Sequence, residues 1–245
     1  MTLVAERPSA KHEAWRYSDH AAVAELWPHT PREPLTVRTG ERFEQHVIVD
    51  ATSDIHEHAI TLERNAFARL YFVCFAGRYG RVALDVTLHE GARFELGAVL
   101  IGGGDATVEL VTSVNHAEPN ASSMQTVRAV AAGRATASYL GKVAVARGAQ
   151  KTDAGQSFRA LLLDRTATAN AKPELEIFAD DVKCAHGAAV GELDRQALFY
   201  LASRGVPPAE ARTLLLQAFI AEVFEDAEAK DELNARALAA LEALA

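Results

Sequence analysis

The chain has 245 residues, with 33 acidic against 25 basic side chains and a formal charge of -8. That balance argues against a surface built to neutralise phosphates, so no nucleic-acid partner and no membrane partner is expected. The stretch from Met1 to Asp19 carries charges and a proline where a secretory leader needs an apolar run, no segment approaches ~18 consecutive apolar residues, and there are two cysteines; a cytoplasmic protein without a disulfide framework is the expectation.

Residues 1-34 read as an N-terminal arm. Prolines at 8, 28, 31 and 34 break any long helix, leaving a short one over His20 to Leu26, and the aromatic side chains of Trp15 and Trp27 are expected to dock on the main body.

Residues 35-193 have the texture of a β core, with strand-like runs separated by glycine, asparagine and aspartate. Such runs span Val82 to Leu88, Ala92 to Ile101, Ala106 to Val114, Ser123 to Ala131, Thr136 to Val145, Phe158 to Leu163 and Glu174 to Phe178. Between Ala106 and Val114 the alternation places Ala106, Val108, Leu110, Thr112 and Val114 on one buried face and Thr107, Glu109 and Ser113 on the other. No helical segments interleave, which excludes a doubly wound sheet and leaves a sandwich, a barrel or a β-solenoid. Small residues at the turns, and the absence of hairpin dipeptides, favour the solenoid. No strict numerical repeat is visible.

Residues 194-245 form a helical domain. Asp194 is placed to cap a helix that ends near Gly205. Pro207 and Pro208 open a second, with a stripe of Ala211, Leu214, Leu215, Ala218 and Phe219. A third runs from about Ala227 to Leu244 on Leu233, Leu238, Leu241 and Leu244. These stripes must be buried, either over the open end of the solenoid or against a partner.

Most candidate motifs for chemistry fail on context. Gly102-Gly103-Gly104-Asp105 has no helix and no lysine behind it, so it is not a phosphate-binding loop. Ser157 and Ser203 lack the surroundings of a nucleophile elbow. Asn115-His116 precedes Pro119 and Asn120 and reads as a polar turn. His56, His58 and Glu63 have the ligand spacing of a cupin motif without its bracketing glycines; a free-standing cupin-like metal enzyme is the alternative function. At the junction of core and helices, Cys184 and His186 stand two apart. An extended Val182 to His186 would point both down one face of a strand, giving half of a metal or iron-sulfur site that needs further ligands from elsewhere. The competing expectation is a buried small cysteine beside a turn histidine.

The run from Ala179 to Phe224, ADDVKCAHGAAVGELDRQALFYLASRGVPPAEARTLLLQAFIAEVF, resembles the C-terminal core of the SufB/SufD family of iron-sulfur cluster assembly proteins, on its SufD side. Asn115-His116, Gln125 to Val130 with Gly133, Gly141-Lys142-Val143, Gln150 through Gln156, Lys172 to Ile177 and Glu13 to Ser18 match in the same order. The resemblance implies a right-handed parallel β-helix followed by a C-terminal helical domain. It implies a non-catalytic subunit of a cytoplasmic complex, paired with SufB through the β-helix edge and with the SufC ATPase through residues 194-226. It also implies that His186, with Cys184 in a less defined part, faces iron or a nascent cluster shared with SufB, nothing being tightly bound by this chain alone. The amino-terminal region is shorter than is common in SufD, and an isolated chain with open strand edges could pair with a second copy of itself.

Overall fold

The computed structural model of the chain describes residues 7–244. At its centre is a parallel β-helix in which each coil gives one strand to each of two six-stranded sheets. The first sheet is built from β1 (Leu35–Val37), β3 (Ser53–Leu62), β5 (Tyr79–Leu88), β7 (Thr107–His116), β9 (Thr136–Val145) and β11 (Thr168–Ile177). The second is built from β2 (Arg42–Val49), β4 (Phe67–Cys74), β6 (Arg93–Gly102), β8 (Ser122–Ala131), β10 (Asp153–Leu162) and β12 (Lys183–Gly191). Helices follow the last strand, so the fold is the right-handed parallel β-helix with a C-terminal helical domain that was expected. Four strands, β1 to β4, precede the first one assigned from alternation.

The register explains why no numerical repeat is visible. Along the first sheet, residue 35 pairs with 60, 53 with 79, 79 with 107, 107 with 136 and 136 with 168, so successive coils are 25, 26, 28, 29 and 32 residues long. The strands stay in phase because the corners absorb the extra residues. At the corner leading from the first sheet to the second, Gly40, Asn65, Gly91, Asn120 and Lys151 all adopt positive φ. Each donates its N–H to a carbonyl of the next coil, those of Arg64, Glu90, Pro119, Gln150 and Asp181. A left-handed residue is costly for a side chain with a Cβ. At this corner it recurs because it aligns one N–H per coil along the solenoid axis.

Alternate residues of each strand point into the space between the sheets. Val82, Leu84, Val86 and Leu88 of β5 meet Phe94, Leu96, Ala98 and Leu100 of β6 in one continuous core, all of them buried. The outward faces are covered by opposite ends of the chain. On the first sheet lies the arm: α1 (His20–Leu26), capped by the Asp19 carboxylate accepting from Ala21 and Ala22 N–H at 2.9 and 3.0 Å, packs Ala22 and Val23 with Trp15 and Trp27 against Ile55 and Tyr79. Docking of both tryptophans agrees with expectation. On the second sheet, Tyr71, Val73, Val99, Ile101 and Val130 are covered by α3 (Pro208–Ala221), the turn at Glu222–Phe224 and α4 (Lys230–Glu242). α2 (Arg195–Ser203) starts at the expected cap, Asp194 accepting from Gln196 and Ala197 N–H at 2.8 and 3.3 Å.

Two helical expectations need correction. The buried line of α3 is Ala211, Leu216 and Ile220, continued by Val223 and Phe224, while Leu214 is exposed and Ala218 faces outward. A helix apolar on nearly every side offers no stripe from which its orientation can be read. The helices also lie across a sheet face rather than over the end of the solenoid. β11 and β12, the last coil, are therefore largely exposed.

Phe224 is fully buried and meets Tyr71 edge-on at 6.0 Å. Phe224→Ala is expected to cost about 3–5 kcal/mol, read as a lowered melting temperature, with amide exchange in α3 and α4 rising together because both dock through that cluster.

Candidate functional site

β12 is the terminal strand of the second sheet and pairs on one side only, with β10. Cys184 lies in register with Ala154 and His186 with Gln156, and both of those β10 residues are buried in the interior. Period two puts Cys184 and His186 on one face, as the sequence predicted, and the register makes it the inward face, at the coil where that interior opens to solvent. Cys184 is half-buried against the end of the core, whereas His186 is exposed. Burial raises the Cys184 thiol above its usual value and the Asp153 carboxylate adds to this, opposed by a backbone hydrogen bond from Ala154. Cys74, the other free cysteine, is fully buried and raised by burial to about 12, with its sulfur packed where a Cβ on Gly80 would have to go. It is a core residue.

Beneath His186 runs a column that changes character. Leu70, Leu96, Gln125, Gln156 and His186 occupy equivalent positions on successive strands of the second sheet. The Thr112 hydroxyl, from the facing sheet, donates to Gln125 Oε1 at 2.7 Å, and the Tyr139 hydroxyl reaches the same oxygen at 3.2 Å. Burial raises the Tyr139 hydroxyl well above the ordinary tyrosine range. In the sequence Gln125 and Gln156 stand out only as positions matching the family, and the interior stack is not visible there. Its signal was a glutamine at an inward position of two strands that are apolar on that face apart from Ser123.

His116 is a correction of a different kind. It is the last residue of β7, fully buried, with Nε2 2.9 Å from Ser123 Oγ; the turn begins only after it. Glu109, assigned to the outward face of the same strand, is indeed outward but fully buried beneath the arm. Its Oε1 accepts from Ser18 Oγ at 2.7 Å, from Arg81 at 3.0 Å and from the Tyr79 hydroxyl, and Arg81 stacks on Trp15 at 3.7 Å.

The cupin-like grouping does not form. His56 and His58 face inward near the first coil with rings 6.4 Å apart. His56 is engaged by Asp54 at 2.7 Å and Arg32 at 3.0 Å, while burial lowers His58 to about 4. Glu63 lies in the following corner, accepting from Thr39 N–H and Oγ1 at 2.9 and 3.1 Å. Two residues of a strand share a face, but one beyond the strand's end does not. Among the described residues no group of three or more His, Cys, Asp or Glu side chains stands ready to hold a metal ion, and no helix is long and apolar enough to cross a membrane.

Burial of His116 sets a pH dependence. Its folded value is pushed down to about 4, below the ~6.5 of an unfolded histidine. The stability it contributes is complete above pH ~6.5 and is lost as pH falls through the folded value, on the order of 3 kcal/mol in all. Thermal melts of His116→Gln are expected to lose less stability between pH 7 and pH 4 than those of the parent chain.

The model of the SUF system FeS cluster assembly, SufBD core domain, matches residues 45–219. Protein ABCI7, chloroplastic, of Arabidopsis thaliana is 42% identical over 177 residues, 71% of this chain and 37% of the relative. An iron-sulfur cluster assembly SufBD family protein of Synechocystis is 35% identical over 170 residues, 68% of this chain and 37% of the relative. The iron-sulfur cluster assembly protein SufD of Escherichia coli is 39% identical over 114 residues, 46% of this chain and 27% of the relative. The chain spans well under half the length of these curated relatives.

Proposed function

Because the chain belongs to the SufBD family of iron-sulfur cluster assembly proteins, we propose that it serves as a SufD-type subunit, completing a cluster-building site together with a SufB partner and driven by a SufC ATPase. The observation that carries this reading is the uncovered last coil. β11 and β12 each offer a free strand edge, and Ile177, Phe178 and Val190 are exposed beside it. A free edge of unpaired backbone groups flanked by apolar side chains is a template for another strand. Edge-to-edge union with a SufB β-helix would continue the sheets and enclose Cys184 and His186 at the seam.

Iron, or the cluster assembled from it, is substrate in this scheme. A thiol and an imidazole on one face supply two soft donors, and a full coordination sphere needs the partner's share. Burial raises the Cys184 thiol above its usual value, and an arriving cation would displace its proton. His186, the more exposed of the two, makes the first contact.

For the ATPase, α2 presents Phe199 and Tyr200, 77% and 57% exposed, and α3 adds Leu214. Large apolar side chains left outside on a helix mark a docking face. Only Glu192, Leu193 and Asp194 separate β12 from α2. Displacement of α2 by a nucleotide-driven partner would pull directly on the strand that carries His186.

Two experiments test this. His186→Ala is expected to slow cluster formation roughly tenfold or more in a reconstituted mixture with the SufB and SufC proteins, while binding both partners normally; full activity of that variant would remove the site assignment. Joint replacement of Phe199 and Tyr200 by serine is expected to weaken capture of the SufC protein by about 2 kcal/mol or more without lowering the melting temperature.

A further inference from the structure

We propose that Gln156 is a positioning residue for His186: its amide oxygen, in the last buried member of the interior polar stack, accepts the ring N–H of His186 and leaves the other ring nitrogen bare and facing outward. The importance of this for assembly rests on the reading of His186 given above. Both groups stand unpaired among the described residues, and the hydrogen bond between them is the part of the proposal that is tested on this chain alone.

Gln156 and His186 are in register on neighbouring parallel strands, which sets their backbones ~4.8 Å apart with side chains on the same face. Gln156 is 4% exposed, and its amide lies beside the Tyr139 hydroxyl without a well-formed hydrogen bond at either Oε1 or Nε2. A buried amide without a partner is unfavourable and needs a reason to be retained. Space has been kept for it: a Cβ on Gly141 would lie 2.7 Å from Gln156 Nε2 and 2.2 Å from the Tyr139 hydroxyl. Glycine at this position lets the amide and the hydroxyl converge between the sheets.

The column gives the direction. Leu70 and Leu96 show that this position packs as leucine where nothing polar is required. The column begins with the half-buried Gln45 on the first strand of this sheet; beyond the two leucines, polarity returns at Gln125, where Thr112 and Tyr139 converge on Oε1, and continues through Gln156 to His186. His186 enters no hydrogen bond or ion pair among the described residues. A neutral imidazole offers a given nitrogen to a metal only while the proton is kept on the other one, and an outer hydrogen bond is what keeps it there. Gln156 is the buried polar group in register beneath the ring.

The test uses the whole chain labelled with 15N-histidine, with ring nitrogen shifts read at alkaline pH and the His186 signals assigned by their loss in His186→Ala. The parent chain should show one dominant tautomer for His186. Gln156→Leu should show both tautomers in exchange while melting no lower than the parent, since leucine already packs in that column; Gln156→Glu, which keeps the acceptor, should restore the single tautomer. Should Gln156→Leu fail to fold, Gln156→Met removes the hydrogen bond with a more adaptable side chain. An unchanged tautomer in the leucine or methionine variant overturns the proposal, as does a tautomer mixture in the parent. With SufB and SufC proteins present, Gln156→Leu should slow cluster formation roughly tenfold. If His186→Ala leaves cluster formation intact, the assembly reading fails while the tautomer result still decides the hydrogen bond by itself.

Discussion

In a parallel β-solenoid each coil is buried only by the coils on either side, because every inward side chain rests on its counterpart one strand away. The two ends therefore differ from the middle, and here they differ from each other. At the first coil, residues 32 to 37 run along β3, with Arg32 N–H donating to the Glu57 carbonyl at 3.2 Å and β1 pairing Leu35 to Val37 with residues 60 to 62. At the last coil no described strand pairs with the free edge of β11 or β12. The unmet requirement is a missing neighbour, and Cys184 and His186 sit where that neighbour would be.

Each end of the chain is spent on an outer face. The arm closes the first sheet through the buried Glu109–Arg81 pair and the Trp15 ring, groups that would be costly to desolvate without one another. The C-terminal helices close the second through aromatic and aliphatic contacts around Tyr71 and Phe224. With both faces occupied, the open coil and the projecting side of α2 and α3 are left exposed. A three-residue link joins them.

The sequence made some of this legible and hid the rest for identifiable reasons. Strand period two is rigid, so the common face of Cys184 and His186 was readable from a spacing of two. Helix α1 and the cap at Asp194 were readable because proline, aspartate and the helical period act locally. The coil length was not, since it grows from 25 to 32 residues and the corners conceal the phase. β2 and β3 escaped because polar side chains such as those of Glu44, Gln45, His46, His56 and His58 dilute the alternation, β1 because it has three residues, and β4 because it is apolar at every position but Arg69 and shows no alternation. His116 was taken for a turn because proline and asparagine follow, yet the strand runs on until its inward position is filled. Glu109 looked solvent-facing because the sequence cannot show that a segment ninety residues earlier lies over it. For the same reason the interior glutamines read as ordinary strand residues until the register stacked them under His186.

The central claim is that a partner completes the final coil, and backbone amide exchange measures it most directly. In the isolated chain, amides on the free edges of β11 and β12 should exchange rapidly while those of β6 to β9 remain protected. Adding the SufB protein should slow exchange across residues 168–191 and leave the arm-covered face unchanged. Unaltered exchange at β11 and β12 in a complex that demonstrably forms would contradict the account.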